Sequence, residues 1–339
     1  TTTSNKNILV TGGAGYIGSH TCLQLSLQGY TPITYDNLST GNRWAVKWGP
    51  LIEADILETD NLIQTLETYK PETIIHFAAK AYVGESKAIP LTYYQNNVAG
   101  TLSVLDAAAR CGVKNFIFSS SCAVYGQPET LPVTEETPLN PISPYGRTKA
   151  YSEQIIEDVC KIHGIRPAIL RYFNAAGAEP ESGIGEHHDP ETHLIPNAIF
   201  AALNQQTFTL HGCDHPTPDG TCIRDYIHVS DLATAHIQAH KHLSQGGERI
   251  VANLGHGNGS SIKEVLNKIE HTTNRYITTH IAPAREGDPS RIYANHRFAK
   301  TTLGWNPSRS GLDRIIKDAV AWHQIQNSQT NPKLDITCH

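Results

Sequence analysis

Short apolar segments alternate with longer amphipathic segments through the first half of the chain. The apolar segments predict β-strands at residues 7–10, 31–36, 49–55, 73–79, 115–121 and 167–174. The longer segments between them predict helices. Strands that alternate with helices form a parallel sheet with helices on both faces, and six strands indicate an α/β fold with a doubly wound parallel sheet.

The stretch ILVTGGAGYIGSH (8–20) places a glycine-rich turn between the first strand and the first helix. Gly12 permits a tight turn, Gly15 removes a side chain where a pyrophosphate approaches the backbone, and Gly18 lets the helix pack closely on the sheet. A helix N-terminus attracts anions because its first N–H groups lack partners and the helix dipole favours negative charge. The stretch therefore predicts a dinucleotide site.

The second strand ends in Asp36, eighteen residues after Gly18. A carboxylate here accepts hydrogen bonds from ribose hydroxyls and repels a 2′-phosphate, and the next residue is Asn37 rather than an arginine. We therefore expect NAD rather than NADP as the cofactor. Asp55 and Ile56 close the third strand, where an adenine ring would lie.

The regular alternation ends after about residue 177. Residues 178–192 are rich in Gly, Pro and acidic side chains and predict a long loop. We predict an NAD-binding Rossmann domain over residues 1–177 and a smaller α/β substrate domain over residues 178–339. Segments near 224–256 are expected to return to the first domain, so that the boundary is crossed more than once.

The composition excludes several classes of partner. Lys and Arg number 27 against 32 Asp and Glu, which gives a net charge of −5 without a long run of one sign. Neither a nucleic acid nor a membrane surface is therefore expected. Seven cysteines are scattered without CxxC pairs, and their odd number is typical of reduced thiols in a cytoplasmic protein.

The segment SPYGRTK (143–149) places Tyr145 and Lys149 one helical turn apart. Ser143 is a suitable N-cap, and Pro144 suits the first helical position because an N–H there has no partner. The tyrosine and the lysine then share one face of the helix. Aromatic and basic residues meet at this spacing on many helices, so the pair alone leaves a catalytic and a structural interpretation open.

The glycine spacing G-x-x-G-x-x-G and the Tyr-x-x-x-Lys pair together resemble the extended short-chain dehydrogenase/reductase family. Within it, six phrases are similar to the UDP-glucose 4-epimerases: HFAAKAYVGES (76–86), YYQNNVAGT (93–101), SSSCAVYG (119–126), LRYFNAAGA (170–178), DGTCIRDYIHVSDLA (219–233) and PAREGD (283–288). The resemblance covers nearly the whole chain. It implies an NAD-dependent isomerase of galactose metabolism, a homodimer that interconverts UDP-galactose and UDP-glucose through a 4-keto intermediate.

The resemblance also implies three catalytic residues. Tyr145 is expected to take the proton of the sugar 4-hydroxyl, and Ser121 to hydrogen-bond the same oxygen. Lys149 is expected to lower the pKa of the phenol and to bind the nicotinamide ribose. A free tyrosine has a pKa of about 10, so a phenolate at neutral pH needs this ammonium and the positive nicotinamide nearby.

The resemblance assigns further residues to the cofactor and to the substrate. The cofactor set is Gly12, Gly15, Tyr16, Ile17, Gly18, Asp36, Asn37, Asp55, Ile56, Phe77, Ala78, Ala79, Asn97, Ser119, Tyr145, Lys149 and Tyr172. The substrate set is Ser121, Cys122, Tyr145, Asn174, His193, Leu194, His211, Arg224, Arg285, Asp288 and Ile292. Guanidinium groups can clamp a diphosphate, although each arginine can equally belong to a surface ion pair.

The segment GEHHDPETH (185–193) contains three histidines and three acidic residues. His188 and His193 are five residues apart with Pro190 between them, so the helical HExxH arrangement of zinc enzymes is excluded. We therefore predict a solvated loop and no metal site.

Three alternative functions remain open. A UDP-xylose/UDP-arabinose 4-epimerase differs only in a substrate without the C6 group. A nucleotide-sugar 4,6-dehydratase needs an acid and a base after the strand-end serine, where this chain has Cys122 and Ala123. A non-catalytic NAD-sensing regulator typically lacks the Tyr/Lys pair that is present here.

Overall fold

The structure is a computed structural model that describes residues 5–285 and 287–330. Seven parallel strands form its main sheet, one more than predicted, because residues 250–254 add a strand at one edge. In order across the sheet, the strands are β3 (Leu51–Glu53), β2 (Thr31–Asp36), β1 (Asn7–Thr11), β4 (Thr73–His76), β5 (Asn115–Ser121), β6 (Arg166–Tyr172) and β13 (Ile250–Leu254). The predicted doubly wound α/β fold is confirmed.

Apolar side chains on these strands alternate between two buried clusters, one on each face of the sheet. On β5, Ile117 lies in the first cluster, whereas Phe116 and Phe118 lie in the second. Helices α1 (Tyr16–Leu27) and α8 (Val229–Ser244) cover the first face. The second face is covered by α2 (Thr59–Tyr69), α5 (Gly100–Arg110) and α6 (Pro144–His163).

The strand order reverses between β1 and β4, and this reversal opens a crevice at the carboxyl ends of the strands. The strand predicted at 73–79 ends earlier, at His76, because the chain there passes close to the glycine turn. A Cβ built on Gly12 would lie 2.7 Å from the backbone nitrogen of Ala78. The strands predicted at 31–36 and 115–121 have those bounds in the structure.

The remaining elements lie beyond the carboxyl edge of the sheet or connect its strands. These are α3 (Val83–Ala88), α4 (Pro90–Tyr93), β7 (Asn174–Ala176), β8 (Ala178–Glu179), β9 (Ile184–Gly185), α7 (Leu194–Asn204), β10 (Phe208–His211), β11 (Ile223–Arg224), β12 (Tyr226–His228), β14 (Ser260–Ser261), α9 (Ile262–Thr273), β15 (Thr279–Ala282), β16 (Arg291–Ile292), α10 (Arg297–Leu303) and α11 (Leu312–Thr330). A third buried cluster joins α7, α9 and α11 through Ile199, Ile269 and Ile316. No helix in the described part of the chain is both long and apolar enough to span a membrane.

The long loop predicted at residues 178–192 is only partly correct. Strands β8 and β9 pair within it, and Ile184 and Gly185 are buried. A Cβ on Gly185 would lie 2.4 Å from the indole ring of Trp322, so the absence of a side chain allows α11 to pack against this segment. The local composition did not reveal this packing because it depends on a helix more than 130 residues away in the sequence.

A buried ion pair connects α6 to the centre of the sheet. Arg171 of β6 donates to both carboxylate oxygens of Glu153, at 2.9 and 2.5 Å, and the two side chains are 7% and 6% exposed. Ser120 donates to the same carboxylate at 2.5 Å, and Arg171 also donates to the Tyr125 hydroxyl at 3.0 Å. The pair therefore fixes the helix of Tyr145 and Lys149 relative to the strand end that precedes Ser121.

Replacement of Arg171 by methionine should therefore destabilise the protein strongly. The substitution leaves the Glu153 carboxylate buried without its cation, which typically costs about 3–5 kcal/mol. Urea titration of R171M would measure the loss in free energy of unfolding. The control is R110M, which removes an exposed ion pair with Asp106 and should cost about 1 kcal/mol or less. Equal losses in the two variants would contradict the structural role of the buried pair.

Candidate active site

The glycine turn after β1 has the geometry of an anion-binding loop. Gly12 has φ +71°, a conformation that side chains rarely adopt, and its carbonyl accepts from Gly15 N at 3.1 Å. A Cβ on Gly18 would lie 2.1 Å from that carbonyl oxygen, so only glycine lets α1 begin so close to β1. The first turn of α1 thus faces the crevice. Tyr16 there donates to the Gly177 carbonyl at 2.6 Å, and Ile17 packs on the core.

Asp36 stands at the end of β2, beside this turn. One carboxylate oxygen accepts from Ala14 N at 3.0 Å and the other from Leu38 N at 2.9 Å. Burial raises the pKa of Asp36, and these two backbone hydrogen bonds oppose the rise. A Cβ on Gly41 would lie within 3.0 Å of both oxygens, so the glycine keeps the space beside them clear. The space and the acceptors fit a ribose diol.

Other residues predicted to bind the cofactor line the same crevice. Asn37 donates from its side-chain amide to the Asp55 carboxylate at 2.9 Å, and Ile56 is buried beside Gly100. Phe77, Ala78 and Ala79 follow β4 directly, and the backbone nitrogens of the first two hydrogen-bond to Thr11. Together with the glycine turn and Asp36, these groups fit a dinucleotide that carries its adenosine end over β2 and β3.

Asn97, a predicted cofactor-binding residue, is hydrogen-bonded through its amide to two neighbouring segments of the protein. Its amide hydrogen-bonds both backbone groups of Lys80, at 2.8 and 2.9 Å, and Thr148 Oγ1 at 3.1 Å. Asn97 is buried and lies in a π-helical turn, Tyr94–Ala99, that leads into α5. The amide therefore holds the loop after β4 against α6.

The three residues predicted to be catalytic meet at the carboxyl end of β5. Ser121 is the last residue of that strand, and its hydroxyl hydrogen-bonds the Tyr145 phenol. Ser143 caps α6 by accepting from Gly146 N at 3.0 Å, with Pro144 at the first helical position, as predicted. The Lys149 ammonium is buried 5.9 Å from the centre of the Tyr145 ring.

Burial shifts the pKa values of Tyr145 and Lys149 in opposite directions. Burial raises the pKa of the Tyr145 phenol to about 12, and the hydrogen bond from Ser121 opposes this rise only in part. Burial lowers the pKa of the Lys149 ammonium to about 7, and the negative charge of Glu153 opposes that change. Without a bound cofactor the phenol is therefore protonated at neutral pH, and the lysine is poised between its two forms.

The Lys149 ammonium is held by a hydrogen bond to a backbone carbonyl and by contact with an aromatic ring, and Tyr172 supports the same strand end. The ammonium donates to the Ser119 carbonyl at 2.7 Å and lies 4.9 Å from the centre of the Phe118 ring. Tyr172, which pairs with Ser121 across β5 and β6, hydrogen-bonds the Ser119 side chain, and burial raises its pKa. Ser119 and Tyr172 thus lie directly behind the catalytic candidates.

Several residues predicted to bind substrate lie together on the other side of Ser121. Cys122 follows it, and burial raises the pKa of the Cys122 thiol to about 11 although the Arg224 guanidinium opposes this. Arg224 of β11 is paired with Ile292 of β16. Ile292 is buried in a cluster that includes Cys122, and Asn174 N donates to the Asp225 carbonyl at 2.9 Å. These contacts form one continuous wall.

The remaining candidates come from two loops. His211 ends β10, which runs parallel to β15, and the chain after β15 carries the exposed Arg285 and Asp288. His193 caps α7 at its N-terminus, directly before Leu194. Its imidazole lies against the Glu186 carboxylate, a contact that the predicted solvated loop did not include.

Two features of the site were not predicted from the sequence. Glu153 lies four residues after Lys149, so Tyr145, Lys149 and Glu153 follow one face of α6, and this spacing could have revealed the buried acid. The other feature is the convergence of acidic and histidine side chains at residues 186–193, which the segment's sequence spacing did not indicate.

Comparison with known proteins identifies the family. A model of the NAD dependent epimerase/dehydratase family matches residues 8–255. The chain belongs to this family. The UDP-glucose 4-epimerase of Rhizobium meliloti (strain 1021) is 50% identical over 324 residues, which cover 95% of this chain and 98% of that protein.

Solved structures agree with this assignment over nearly the whole chain. UDP-glucose 4-epimerase from Brucella ovis, in complex with NAD, is 50% identical with a TM-score of 0.91, over 93% of this chain and 97% of that one. The Stenotrophomonas maltophila UDP-glucose-4-epimerase, with bound NAD and formylated UDP-arabinopyranose, is 36% identical with a TM-score of 0.92, over 95% and 99%. The family's NAD dependence agrees with the fit of the glycine turn and Asp36.

Substitution of Gly18 by alanine should abolish normal NAD binding. The new Cβ would meet the Gly12 carbonyl and push α1 away from the turn. We expect the affinity for NAD to fall by about tenfold or more, or about 1.4 kcal/mol, in a fluorescence titration of the cofactor-stripped protein. The matched control is G311A, because a Cβ there has no atom within 4 Å. An unchanged affinity in a correctly folded G18A protein would contradict the proposed geometry.

Proposed function

We propose that this chain catalyses the reversible 4-epimerisation of a UDP-sugar, UDP-galactose to UDP-glucose, as a step of galactose metabolism. The observation that carries the proposal is the meeting of Ser121, Tyr145 and Lys149 beside a glycine turn that fits NAD. NAD, held by the glycine turn and Asp36, would supply a positive nicotinamide and a reversible acceptor for the hydride of sugar C4. The residues of the chain then have to move one proton and hold the nucleotide.

Tyr145 is the proposed base. Because the pKa of its phenol is high in the structure, the phenolate needs positive charges nearby. An ammonium about 6 Å away stabilises a phenolate by about 3 kcal/mol at an effective dielectric constant near 20, or about 2 pKa units. Lys149 alone therefore cannot bring a pKa of about 12 to neutrality. A second positive charge is required, and it is present only when the oxidised cofactor is bound. Proton removal is thereby restricted to the loaded enzyme.

Ser121 completes the proton path. Its hydroxyl contacts the Tyr145 phenol and lies beside Cys122, at the edge of the wall that includes Arg224 and Ile292. It can therefore pass the proton of the sugar 4-hydroxyl to the phenolate. Its oxygen also accepts from Ala123 N at 3.1 Å, which fixes the orientation of the hydroxyl. When the hydride returns, the same path delivers the proton back to the sugar oxygen.

The substrate side favours a firmly held nucleotide and a loosely held sugar. Arg224 and Arg285 supply cations for a diphosphate, with Asn174, His193, Leu194, His211 and Asp288 as further contacts. Ile292 and Cys122 offer mainly apolar surface toward the sugar, so the ring can turn over without the loss of strong hydrogen bonds. This turning is what exposes the second face of the 4-keto sugar.

The alternative functions have less support. A 4,6-dehydratase needs an acid and a base after Ser121, whereas burial keeps the Cys122 thiol protonated at neutral pH by raising its pKa to about 11, and Ala123 cannot titrate. A UDP-pentose 4-epimerase shares every catalytic group. The bound UDP-arabinopyranose derivative of the Stenotrophomonas relative is the one observation in its favour.

The direct test is to incubate the purified protein with UDP-galactose, without added NAD, and to measure UDP-glucose by chromatography. Conversion is expected, because the hydride returns in each cycle and the cofactor need not be replaced. Y145F should retain its NAD and lose activity by about 10²–10⁴-fold, as expected for a lost general base. Y276F, the same change at an exposed tyrosine outside α6, should remain active.

The outcomes separate the candidates. Full activity of Y145F would eliminate Tyr145 as the base. Failure to convert UDP-galactose even with NAD added, together with conversion of UDP-xylose, would replace the hexose by a pentose as the substrate.

We also propose that the protein is a homodimer through the α5–α6 surface and, from its reduced cysteines, that it is cytoplasmic. Leu91, Leu102 and Tyr151 expose apolar surface on adjacent elements, at 76%, 46% and 49%, and Tyr94 stacks on Tyr151. Exposed apolar clusters of this kind are typical of interfaces.

Analytical ultracentrifugation is expected to give twice the chain mass of 37.2 kDa. The double variant L102E/Y151E should shift the protein to the monomer, because two carboxylates would be buried at the interface. Y276E, which changes an aromatic residue that is exposed elsewhere, should remain dimeric. A wild-type monomer would refute the interface.

A further inference from the structure

A cluster of metal-ligating side chains lies outside the proposed catalytic group, in the segment between β9 and α7. Glu186, His188, Glu191 and His193 each offer one ligand atom, and all four atoms lie within 4.8 Å of one another. His188 Nδ1 is 3.5 Å from a Glu186 oxygen and 3.3 Å from a Glu191 oxygen. His193 Nδ1 contacts Glu186 and lies 4.0 Å from Glu191.

These distances suit a small cation. In a tetrahedral zinc site with bonds of about 2.0–2.2 Å, neighbouring ligand atoms are about 3.3 Å apart. Two imidazole nitrogens and two carboxylate oxygens form a ligand set that suits divalent first-row transition metals. Only small side-chain adjustments separate the present arrangement from such a site.

The ligands are held in place by the surrounding structure. Glu186 is 4% exposed, and the Trp322 indole donates to its carbonyl at 2.9 Å. The Glu191 carboxylate accepts from the backbone nitrogens of Thr192 and His193 at 2.8 and 2.9 Å, which leaves its second oxygen directed at His188. Because the His193 side chain is 46% exposed, the cluster has an entry path from solvent.

We propose that Glu186, His188, Glu191 and His193 bind one divalent transition-metal cation of the zinc type. In the metal-bound site each imidazole binds as a neutral ring, and Glu186 and Glu191 bind as carboxylates. The cation links Glu186, in the buried segment after β9, to His193, the residue that directly precedes α7. His188 also lies with its ring 6.4 Å from that of Tyr16 in the glycine turn, so the cation stiffens one wall of the crevice.

A metal-free ion pair is the competing explanation of the same cluster. Burial opposes a charge on the His193 imidazole, but the Glu186 carboxylate outweighs this effect and raises the pKa of His193 to about 9. A protonated His193 neutralises Glu186 without any cation. The two explanations differ in whether the protein binds zinc stoichiometrically.

The experiment is a zinc titration of the metal-stripped full-length protein against a chromophoric chelator. We expect one tight equivalent per chain and visible cobalt absorption of a four-coordinate kind when Co²⁺ replaces Zn²⁺. H188Q should lower the zinc affinity by more than the about 10–100-fold that outer-shell changes typically cause. H187Q is the matched control, because this neighbouring histidine is exposed and outside the cluster.

Each result decides the question. Tight binding by the wild type and H187Q, with loss in H188Q, supports the site, and E191Q should behave like H188Q if the latter misfolds by circular dichroism. The proposal is overturned if the wild type binds no stoichiometric zinc, as the ion pair predicts, or if H187Q loses as much affinity as H188Q. Epimerase activity enters neither comparison, so failure here leaves the proposed function untouched.

Discussion

The close approach of Gly12 and Gly18 is the steric constraint on which the site depends. With no side chain at either position, α1 starts against the turn that ends β1, and Gly12 in that turn lies against the segment after β4. This fixes the crevice where the strand order reverses and brings the positive end of α1 to it. Tyr16, the first residue of α1, then donates to the Gly177 carbonyl and so links the glycine turn to the segment between β7 and β8.

One face of helix α6 carries two of the catalytic candidates and also the acidic residue that anchors the helix to the sheet. Its first turn presents Tyr145, its second presents Lys149, and its third inserts Glu153 into the ion pair with Arg171. Because Glu153 is neutralised by Arg171 and Ser120, it opposes the lowered pKa of Lys149 only in part. The helix therefore buries a lysine next to a tyrosine without a direct counter-ion, and the positive charge of the bound cofactor would favour the phenolate of Tyr145.

The sequence predicted the fold where local pattern and tertiary structure agree. Strands 31–36 and 115–121 and the Ser143 cap follow from short-range rules. The prediction was incomplete where distant residues decide: residues near 224–256 were expected to return to the first domain, but not specifically as a seventh strand from residue 250, and Trp322 buries a segment that was predicted to be solvated. The motif indicated which positive charges a Tyr145 phenolate needs, but not how far burial raises the pKa of the phenol, because desolvation depends on every neighbour.

Strand β13 is synthesised long after β6, its neighbour in the sheet, and this order affects how the chain folds during synthesis. Strand β6 is finished by residue 172, but its outer neighbour appears only after α7, β10 and α8 have been made. Until then β6 is an open edge strand, and the apolar face later covered by α8 is exposed, which makes the nascent chain prone to intermolecular pairing. The sheet therefore closes only after three quarters of the polypeptide has emerged, and its contacts of long sequence separation favour slow folding.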